Sequence, residues 1–412
     1  MNGATLYPYD LKEEGFTHLS SWLIQEKMTI YHSVPTVFRH FLQNLTGGEE
    51  FRDLRVIRLG GEPVYRNDVE SYKKHFDKDC IFVNRLGSSE TGSIRWTFMD
   101  KATQIKGNPV PVGYPVMDNE ILLLDDEAKN AVGNEGEIAV KTRYLSPGYW
   151  RGSDLTDAVF LPDPSGGDER IYRTGDMGRM LPDGCLLYLG RKDFQVKIRG
   201  YRIEVDEIEI ALVESPALKE AVVVARESDL GDVRLVAYCV PSGKTAPNTG
   251  ALRSFLKEKL PDYMIPSAFV MLDAIPLTAT RKVDRKALST PSNSRPELNA
   301  PYVAPRTPME EELAKIWAAV LGLDQVGIHD DFFELGGHSL AATQIISRII
   351  KGFQLELALK SLFESPTVAD MAMVILQNKG RKVGEKELAG LLVELESLSE
   401  EEAKRHLTDE NK

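Results

Sequence analysis

A stretch rich in serine, proline and asparagine, STPSNSRPELNAPYVAPR at residues 289–306, divides the chain into two parts of different character. This composition offers few residues for a hydrophobic core, and its prolines favour an extended linker. Helical and strand patterns are mixed before it, whereas only helical periodicity follows it. The chain of 412 residues is therefore predicted to fold as several separate units rather than one.

The part before the linker changes its pattern twice. Residues 1–110 alternate helical runs such as VESYKKHF (69–76) with short apolar strands such as CIFVN (80–84), which predicts an α/β layer. Short strands separated by Gly, Pro and Asp turns follow over 111–192, which predicts a β-rich subdomain. Residues 193–288 mix helices and strands again. The expected fold class is multidomain, α/β and α+β.

The part after the linker, residues 307–378, is predicted to be a bundle of three or four short helices. Thr307 with a glutamate three residues later forms a capping box that opens the first helix. A second helix is expected to begin near Ser339, and another after Ser365. The last residues, 379–412, read as a charged helical tail.

Charge and composition exclude several classes of protein. The net charge is −12, which gives no reason to expect nucleic acid or an anionic membrane as the main partner. No apolar run reaches the length of a membrane span, and the N-terminus lacks the pattern of a signal peptide. Cys80, Cys185 and Cys239 are widely spaced and odd in number, so we expect a reducing, cytoplasmic location without a disulfide framework or zinc site.

The sequence DDFFELGGHSL (330–340) places Ser339 after two glycines at the start of a helix. The glycines leave the hydroxyl accessible, and the N–H groups of a helix N-terminus favour a phosphodiester anion. An N-capping role for Ser339 is compatible with this interpretation. The segment resembles the thiolation (peptidyl carrier) domain of nonribosomal peptide synthetases. That resemblance implies a carrier four-helix bundle, in which a phosphopantetheinyl transferase attaches 4′-phosphopantetheine to Ser339.

Four segments of the first part resemble adenylate-forming (amino-acid adenylation) domains and occur in the family's order. They are NRLGSSETG (84–92), YRTGDMGRM (172–180), GRKDFQVKIRGYRIEVDEIE (190–209) and PLTATRKVDRKAL (276–288). The resemblance implies a partial adenylate-forming enzyme fold, with the β-rich subdomain in its large part and residues 193–288 as its lid. It also implies that ATP and Mg²⁺ are used.

The resemblance assigns nucleotide roles to residues of the large part. Glu90 would coordinate Mg²⁺, for which a single carboxylate together with phosphate oxygens is chemically sufficient. Ser89 and Gly87 lie in the same phosphate-binding loop. Asp176 would accept hydrogen bonds from the ribose hydroxyls, and Arg191 would contact the nucleotide.

Three further roles follow from the resemblance for the lid. Asp193 would be the hinge about which the lid rotates. Gly200 lies in the loop that lines the path of the phosphopantetheine arm during thioester formation. Lys282 would approach the substrate carboxylate and the α-phosphate and stabilise the charge that builds up on transfer to AMP.

The resemblance to adenylation domains also implies a substrate pocket, formed by His32, Arg58, Gly60, Arg85 and Ser93. Two arginines and a histidine suggest a polar or acidic substrate. The resemblance does not distinguish an amino acid from a hydroxy or aryl acid.

The resemblance also implies that about the first half of the large subdomain, including a Ser/Thr/Gly-rich phosphate loop, lies outside this sequence. Met1 then marks a boundary chosen for expression, one chain of a split enzyme, or a decayed gene. Three functions stay open: an adenylating and loading module, a non-catalytic carrier module, and an acyl or aryl acid ligase fused to a carrier. Neighbouring condensation or thioesterase domains are the expected partners.

Overall fold

The structure is a computed structural model, and contacts between residues divide the chain into two compact units. One unit combines Met1–Gly15 with Ser292–Lys412, and the other is Phe16–Pro291. The residues that the structure describes are 3–105, 107–125, 133–227, 233–243, 247–278, 281–289, 293–296, 298 and 301–379. The predicted tail, 379–412, lies outside these residues except for its first position.

The helices are short, and most of them connect strands or build the C-terminal bundle. In chain order they are α1 (Leu11–Glu14), α2 (Leu19–Gln25), α3 (Pro35–Gln43), α4 (Arg66–His75), α5 (Ser153–Val159), α6 (Val205–Val213), α7 (Thr249–Lys257), α8 (Pro308–Leu321), α9 (Ser339–Phe353), α10 (Lys360–Glu364) and α11 (368–379). A 3-10 turn follows α7 at Asp262–Met264.

All strands belong to the larger unit, Phe16–Pro291, within the described residues. In chain order they are β1 (Ile30–Ser33), β2 (Val56–Gly60), β3 (Ile81–Ser88), β4 (Gly92–Met99), β5 (Tyr114–Pro115), β6 (Glu120–Leu124), β7 (Glu135–Thr142), β8 (Phe160–Pro162), β9 (Arg170–Met180), β10 (Leu186–Arg191), β11 (Val196–Ile198), β12 (Tyr201–Ile203), β13 (Leu218–Glu227), β14 (Val233–Pro241) and β15 (Ala268–Met271).

The first sheet has the order β1-β2-β3-β4-β5 and confirms the expected α/β layer. Strands β1, β2 and β3 are parallel, and α3 and α4 make the crossovers between them, as parallel pairing requires. An aromatic cluster fills the space between these helices and one face of the sheet, where Phe38, Phe41 and Phe82 are almost completely buried. Strand β4 turns back on β3 in an antiparallel hairpin.

The second sheet, β10-β9-β7-β6 with β8 paired to β9, is antiparallel throughout and forms the expected β-rich subdomain. Ile138, Val140 and Leu186 of this sheet pack in one core cluster with Ile94 of the first sheet. Because they share this core, the two sheets form one continuous body.

The lid residues form the third sheet, β13-β14-β15, with β15 parallel to β14 and α6 packed against β13. Val205, Ile208 and Leu212 of α6 are buried at helical spacing, which explains why this segment folds as a helix. A separate hairpin, β11-β12, precedes it. Gly200 lies in the turn of that hairpin with φ of 81°, a backbone conformation that favours glycine.

The smaller unit is the expected helical bundle, formed by α8, α9, α10 and α11. Trp317, Phe332, Ile345, Leu362 and Met371 are completely buried in its core. The short helix α10 is an element that the sequence pattern did not define. The predicted cap at the start of α8 is present, since the hydroxyl of Thr307 accepts a hydrogen bond from the N–H of Glu310.

Part of the expected linker packs on this bundle. Leu298 and Val303 contact the core, and Arg295 forms a two-pronged ion pair with the buried Asp330, both distances being 2.7 Å. The N-terminal helix α1 also contacts α9. The compact unit around the bundle is therefore larger than residues 307–378, and it includes a segment that the sequence pattern grouped with the α/β layer.

Candidate functional sites

Ser339 is the first residue of α9, and its side chain is exposed. The N-cap of this helix is His338, whose Nδ1 accepts a hydrogen bond of 3.2 Å from the N–H of Ala341. The capping role expected for Ser339 therefore belongs to the residue before it. The Ser339 hydroxyl lies instead at the open end of the helix, where unpaired N–H groups favour an anion.

The glycine before His338 is required by packing. A Cβ atom on Gly337 would lie 2.5 Å from three ring atoms of Phe332, which is completely buried. Phe332 thus anchors the loop in the bundle. The loop that presents Ser339 is held by its own buried aromatic residue, and the N–H of Phe332 also donates to the carbonyl oxygen of Pro366 in the same bundle (2.9 Å).

A cleft in the larger unit brings together most of the site residues predicted for adenylation. They come from the first two sheets and from the β11-β12 hairpin. The predicted residues that line it are His32, Gly60, Arg85, Gly87, Ser89, Glu90, Asp176, Arg191 and Gly200.

Glu90 lies in the tight turn between β3 and β4 and is buried. Its Oε1 accepts hydrogen bonds from Tyr149 (2.9 Å) and from Arg202 of β12 (2.7 Å). Burial by itself would raise the pKa of Glu90. Four other effects lower it to about 2: hydrogen bonds from its own peptide N–H and from Ser88, the positive charge of Arg202, and the hydrogen bond from the Tyr149 hydroxyl. The carboxylate is thus ionised at neutral pH.

The second oxygen of Glu90 fits a cation. Oε2 is shielded from solvent and has no hydrogen-bond partner among the described residues. In the same part of the chain, no group of three or more His, Cys, Asp or Glu side chains forms a metal site by itself. A lone buried carboxylate oxygen suits Mg²⁺ that takes its other ligands from phosphate oxygens and water.

Arg191 connects the predicted ribose ligand to the predicted hinge. Its Nη1 donates to Asp176 (3.1 Å), and its Nε donates to Asp193 (2.6 Å). Lys197 lies 3.8 Å from Asp176 on the other side. Asp193 does not line the cleft, but it lines a neighbouring, mostly apolar cavity that also includes Asn84.

The β11-β12 hairpin is attached to the large part by residues that the sequence reasoning missed. The N–H of Gly200 donates to Oε1 of Glu62 (3.0 Å), and Thr36 donates to Oε2 through its backbone (3.0 Å) and its hydroxyl (2.7 Å). The hydrogen bonds that Arg202 and Tyr149 donate to Glu90 were also not predicted from the sequence. The LGGE segment (59–62), which begins within the end of β2, and the arginine two residues after Gly200 are signals that were present in the sequence.

Lys282 is not brought to this cleft. It is exposed, in the turn closed by the bridge between Leu277 and Val283, and it lines neither the cleft nor the neighbouring cavity. In this structure the lid reaches the cleft through the β11-β12 hairpin, whose turn contains Gly200 (the Gly200 hairpin).

The five residues predicted for the substrate pocket lie close together on the first sheet. The register pairs His32 with Arg58 and Gly60 with Arg85. Arg58 donates to the Ser93 hydroxyl (3.3 Å), and Nδ1 of His32 lies 3.0 Å from the carbonyl oxygen of Arg58. His32, Gly60 and Arg85 line the cleft, whereas Arg58 and Ser93 do not.

Comparison with known families divides the chain in the same way as its motifs. The family described as AMP-binding enzyme matches residues 1–150, and the AMP-binding enzyme C-terminal domain matches residues 207–282. The phosphopantetheine attachment site family matches residues 311–375. One of the linear gramicidin synthase proteins of Brevibacillus parabrevis is 45% identical over 322 residues. The chain belongs to the nonribosomal peptide synthetase family.

The relatives within the nonribosomal peptide synthetase family are much longer than this chain. The match to the linear gramicidin synthase protein covers 78% of the chain but only 4% of that protein. The dimodular nonribosomal peptide synthase of Bacillus subtilis is 41% identical, and the match covers 85% of the chain and 14% of that protein. The chain thus corresponds to a small part of these synthetases.

Solved structures support the same assignment. A nonribosomal peptide synthetase protein containing adenylation and carrier domains, bound to a vinylsulfonamide inhibitor, matches 90% of this chain with a TM-score of 0.70 and 25% identity. The match covers 60% of that protein. An adenylation domain of Vibrio cholerae, 23% identical with a TM-score of 0.56, shares the fold. The expected adenylate-forming fold followed by a carrier bundle is confirmed.

Among the described helices, none has the length and hydropathy that crossing a bilayer requires. The three cysteines are buried and unpaired.

Proposed function

We propose that this chain is the adenylating and loading part of a synthetase module. It activates an amino acid, or a related carboxylic acid, as an acyl-adenylate and transfers the acyl group to an arm on Ser339. One observation carries the proposal: an exposed Ser339 on a carrier bundle occurs in the same chain as a cleft that contains Glu90 and Asp176.

In the first step, a carboxylate oxygen of the substrate attacks the α-phosphate of ATP, and pyrophosphate leaves. Glu90 would hold Mg²⁺, which neutralises phosphate charge when it is bound. Asp176 would fix the ribose, and the hydrogen bond from Nη1 of Arg191 would orient Asp176. The apolar cavity beside Asp193 would take the adenine base, with the Asn84 amide at its wall.

In the second step, a thiol carried by Ser339 attacks the acyl carbonyl, and AMP leaves. The Gly200 hairpin, held by Glu62, lies at the cleft in this structure, whereas Lys282 does not. We therefore assign the lid position to thioester formation. Rotation about Asp193 would bring Lys282 to the α-phosphate for the first step.

The partners follow from the same proposal. A phosphopantetheinyl transferase would attach the 4′-phosphopantetheine arm, and condensation or thioesterase domains would receive the acyl group. The buried, unpaired cysteines suit the reducing cytoplasm.

Intact-mass measurement of the full chain tests the proposal. The protein is first treated with a phosphopantetheinyl transferase and coenzyme A, and then with ATP, Mg²⁺ and a panel of carboxylic acids. We expect one arm per chain and a further acyl increment with at least one acid. Pyrophosphate exchange, with and without a supplied N-terminal half of an adenylation domain, measures the first step separately.

Two lysines in the same loop provide a matched control. Lys282→Ala is expected to slow exchange by about 100-fold, as loss of one group that stabilises transition-state charge does. Lys286→Ala removes an equally exposed lysine and is expected to leave exchange unchanged. An arm without any acyl increment, together with no exchange when the N-terminal half is present, would instead establish a non-catalytic carrier module.

A further inference from the structure

The first sheet of the larger unit presents three basic side chains on one face. Alternate residues of a strand share a face, and the register pairs His32 with Arg58 and Gly60 with Arg85. Arg58 and Gly60 are two positions apart on β2, so His32, Arg58 and Arg85 lie on the same side of the sheet. Leu59, between Arg58 and Gly60 on β2, points to the other side of the sheet and is completely buried.

The two arginines have no counter-charge in the described part of the chain. Arg58 donates 3.3 Å to the Ser93 hydroxyl and lies 5.8 Å from the centre of the Trp96 ring. Neither Arg58 nor Arg85 forms an ion pair with a described carboxylate, and the Nε atoms of both are shielded from solvent without a partner. A guanidinium has five N–H donors, so these two retain donors for a ligand.

The basic groups also act on one another. Burial lowers the pKa of Arg85, and the charge of Arg58 lowers it further. Burial is also the main cause that lowers the pKa of His32. The hydrogen bond with the Arg58 carbonyl acts in the opposite direction, whereas the positive charges of Arg58 and Arg85 lower the pKa further. This part of the site therefore has a positive potential that a bound anion would relieve.

The acidic residues of the cleft are already engaged by other side chains. Glu90 pairs with Arg202, and Asp176 pairs with Arg191. Glu204, the remaining acidic residue that lines the cleft, accepts from the side-chain amide of Gln195. Among the described residues, no cleft carboxylate is thus left to neutralise the arginine pair.

We propose that the acid activated by this chain has a second negative charge, a side-chain carboxylate held by Arg85, which lines the cleft, together with Arg58, which does not line it but lies on the same face of the sheet. A planar carboxylate matches the fork of a guanidinium and accepts two hydrogen bonds from it. The substrate class is therefore an acidic amino acid or another dicarboxylic acid. This inference rests on the proposed function for one point, that the reacting carboxylate points toward Glu90 and Asp176.

Equilibrium binding to the full chain tests the inference without requiring catalysis. Calorimetric titration compares glutamate with glutamine and aspartate with asparagine, pairs that differ chiefly in the side-chain charge. We expect one acid to bind at least about 10-fold more tightly than its amide, which corresponds to about 1.4 kcal/mol. Arg85→Gln and Arg58→Gln should each remove most of this preference.

A third arginine gives a matched control. Arg55, three residues before Arg58, is exposed, so Arg55→Gln removes one positive charge without touching the pair. We expect this variant to keep the full preference for the acid. Equal loss of the preference in Arg55→Gln would show a general charge effect and overturn the inference. Equal affinity of the wild type for acid and amide, or no binding of either acid, would also overturn it.

Loading of the arm separates this inference from the proposed function. If a neutral or apolar amino acid is loaded and the acidic ones are not, the function stands and the arginine pair has another role. If the acid binds selectively but no acid is ever loaded, the pocket assignment stands and the proposed function fails.

Discussion

The carrier serine and the cleft of the larger unit are built in opposite ways. Ser339 is presented by residues that are its near neighbours in sequence, among them Phe332, Gly337 and His338. The cleft joins groups that are far apart, such as Arg202 and Glu90, which are 112 positions apart. A local site requires its own loop and the small bundle in which its anchor is buried, whereas an assembled site requires two sheets and a hairpin to be in place.

The largest expected effect tests how local the carrier site is. Ser339→Ala should abolish attachment of the arm completely, because the modified atom is removed, while the circular dichroism spectrum and thermal unfolding stay unchanged. Ser361→Ala, in the same bundle, should be modified at the normal rate. Intact mass after treatment with a phosphopantetheinyl transferase measures both, and an arm on the Ser339→Ala protein would contradict the assignment.

The next effect concerns the anchor of that loop. Gly337→Val would force side-chain atoms into the ring of Phe332, and overpacking of this kind costs about 1–3 kcal/mol. Urea unfolding followed through Trp317, which is buried in the same bundle, measures the loss. Gly352→Ala is the control, because its Cβ would meet only the end of the Glu312 side chain and a helical Gly-to-Ala change stabilises by roughly 0.5–1 kcal/mol. A stable Gly337→Val protein would remove the argument for a local anchor.

The assembled site is tested by a double-mutant cycle on Arg202 and Glu90. Each of Arg202→Gln and Glu90→Gln breaks a contact between the lid hairpin and the large part. Because the Arg202 side chain is 39% exposed and partly screened by solvent, we expect a coupling of about 1–2 kcal/mol. Unfolding of the four proteins measures it. Lys219→Gln, an exposed lysine of the lid, should show no coupling to Glu90.

The smallest effect is the pH dependence of the same contact. The folded-state pKa of Glu90 is about 2, below its ordinary value of 4.5, so its contribution to stability is complete above 4.5 and is lost as the pH falls toward 2. The difference in unfolding free energy between the wild type and Glu90→Gln should therefore be constant from pH 7 to 5 and shrink below 4.5. A difference that grows on acidification would contradict the ionised pair.

Arm attachment in the Arg202→Gln protein provides the sharpest contrast between the two regions. We expect the rate of modification at Ser339 to equal that of the wild type, because nothing that presents the serine depends on the cleft. Reduced modification would show that the two sites are coupled and would end the distinction between a local and an assembled site.

Much of the fold was predictable from periodicity and turn residues. The strand expected at 80–84 is the first part of β3 at Ile81–Ser88, and the helix expected at 69–76 is α4 at Arg66–His75. The boundaries shifted because helix ends depend on caps: α4 begins where Asp68 accepts from the N–H of Tyr65. Helix α10 was not predicted because five residues contain too little periodicity.

The interpretation of single residues was less complete. Glu62 lies in none of the segments to which the sequence analysis assigns a role, yet it accepts a hydrogen bond from the N–H of Gly200, 138 positions away. Tyr149 lies outside the four segments that resemble adenylation domains, yet its hydroxyl donates to Glu90. No local pattern marks such residues, because their partners come from other strands.

The sequence alone determined that Ser339 is presented at the start of a helix and that the adenylation motifs occur in order, because both are properties of short, contiguous segments. Only the tertiary structure decided that Arg202 rather than Lys282 reaches the cleft, that His338 caps α9, and that Arg58 and Arg85 face the same side without a counter-charge among the described residues. The physical reason is that burial, charge pairing and strand register are set by residues distant in sequence, and these quantities decide which side chains remain available for a ligand.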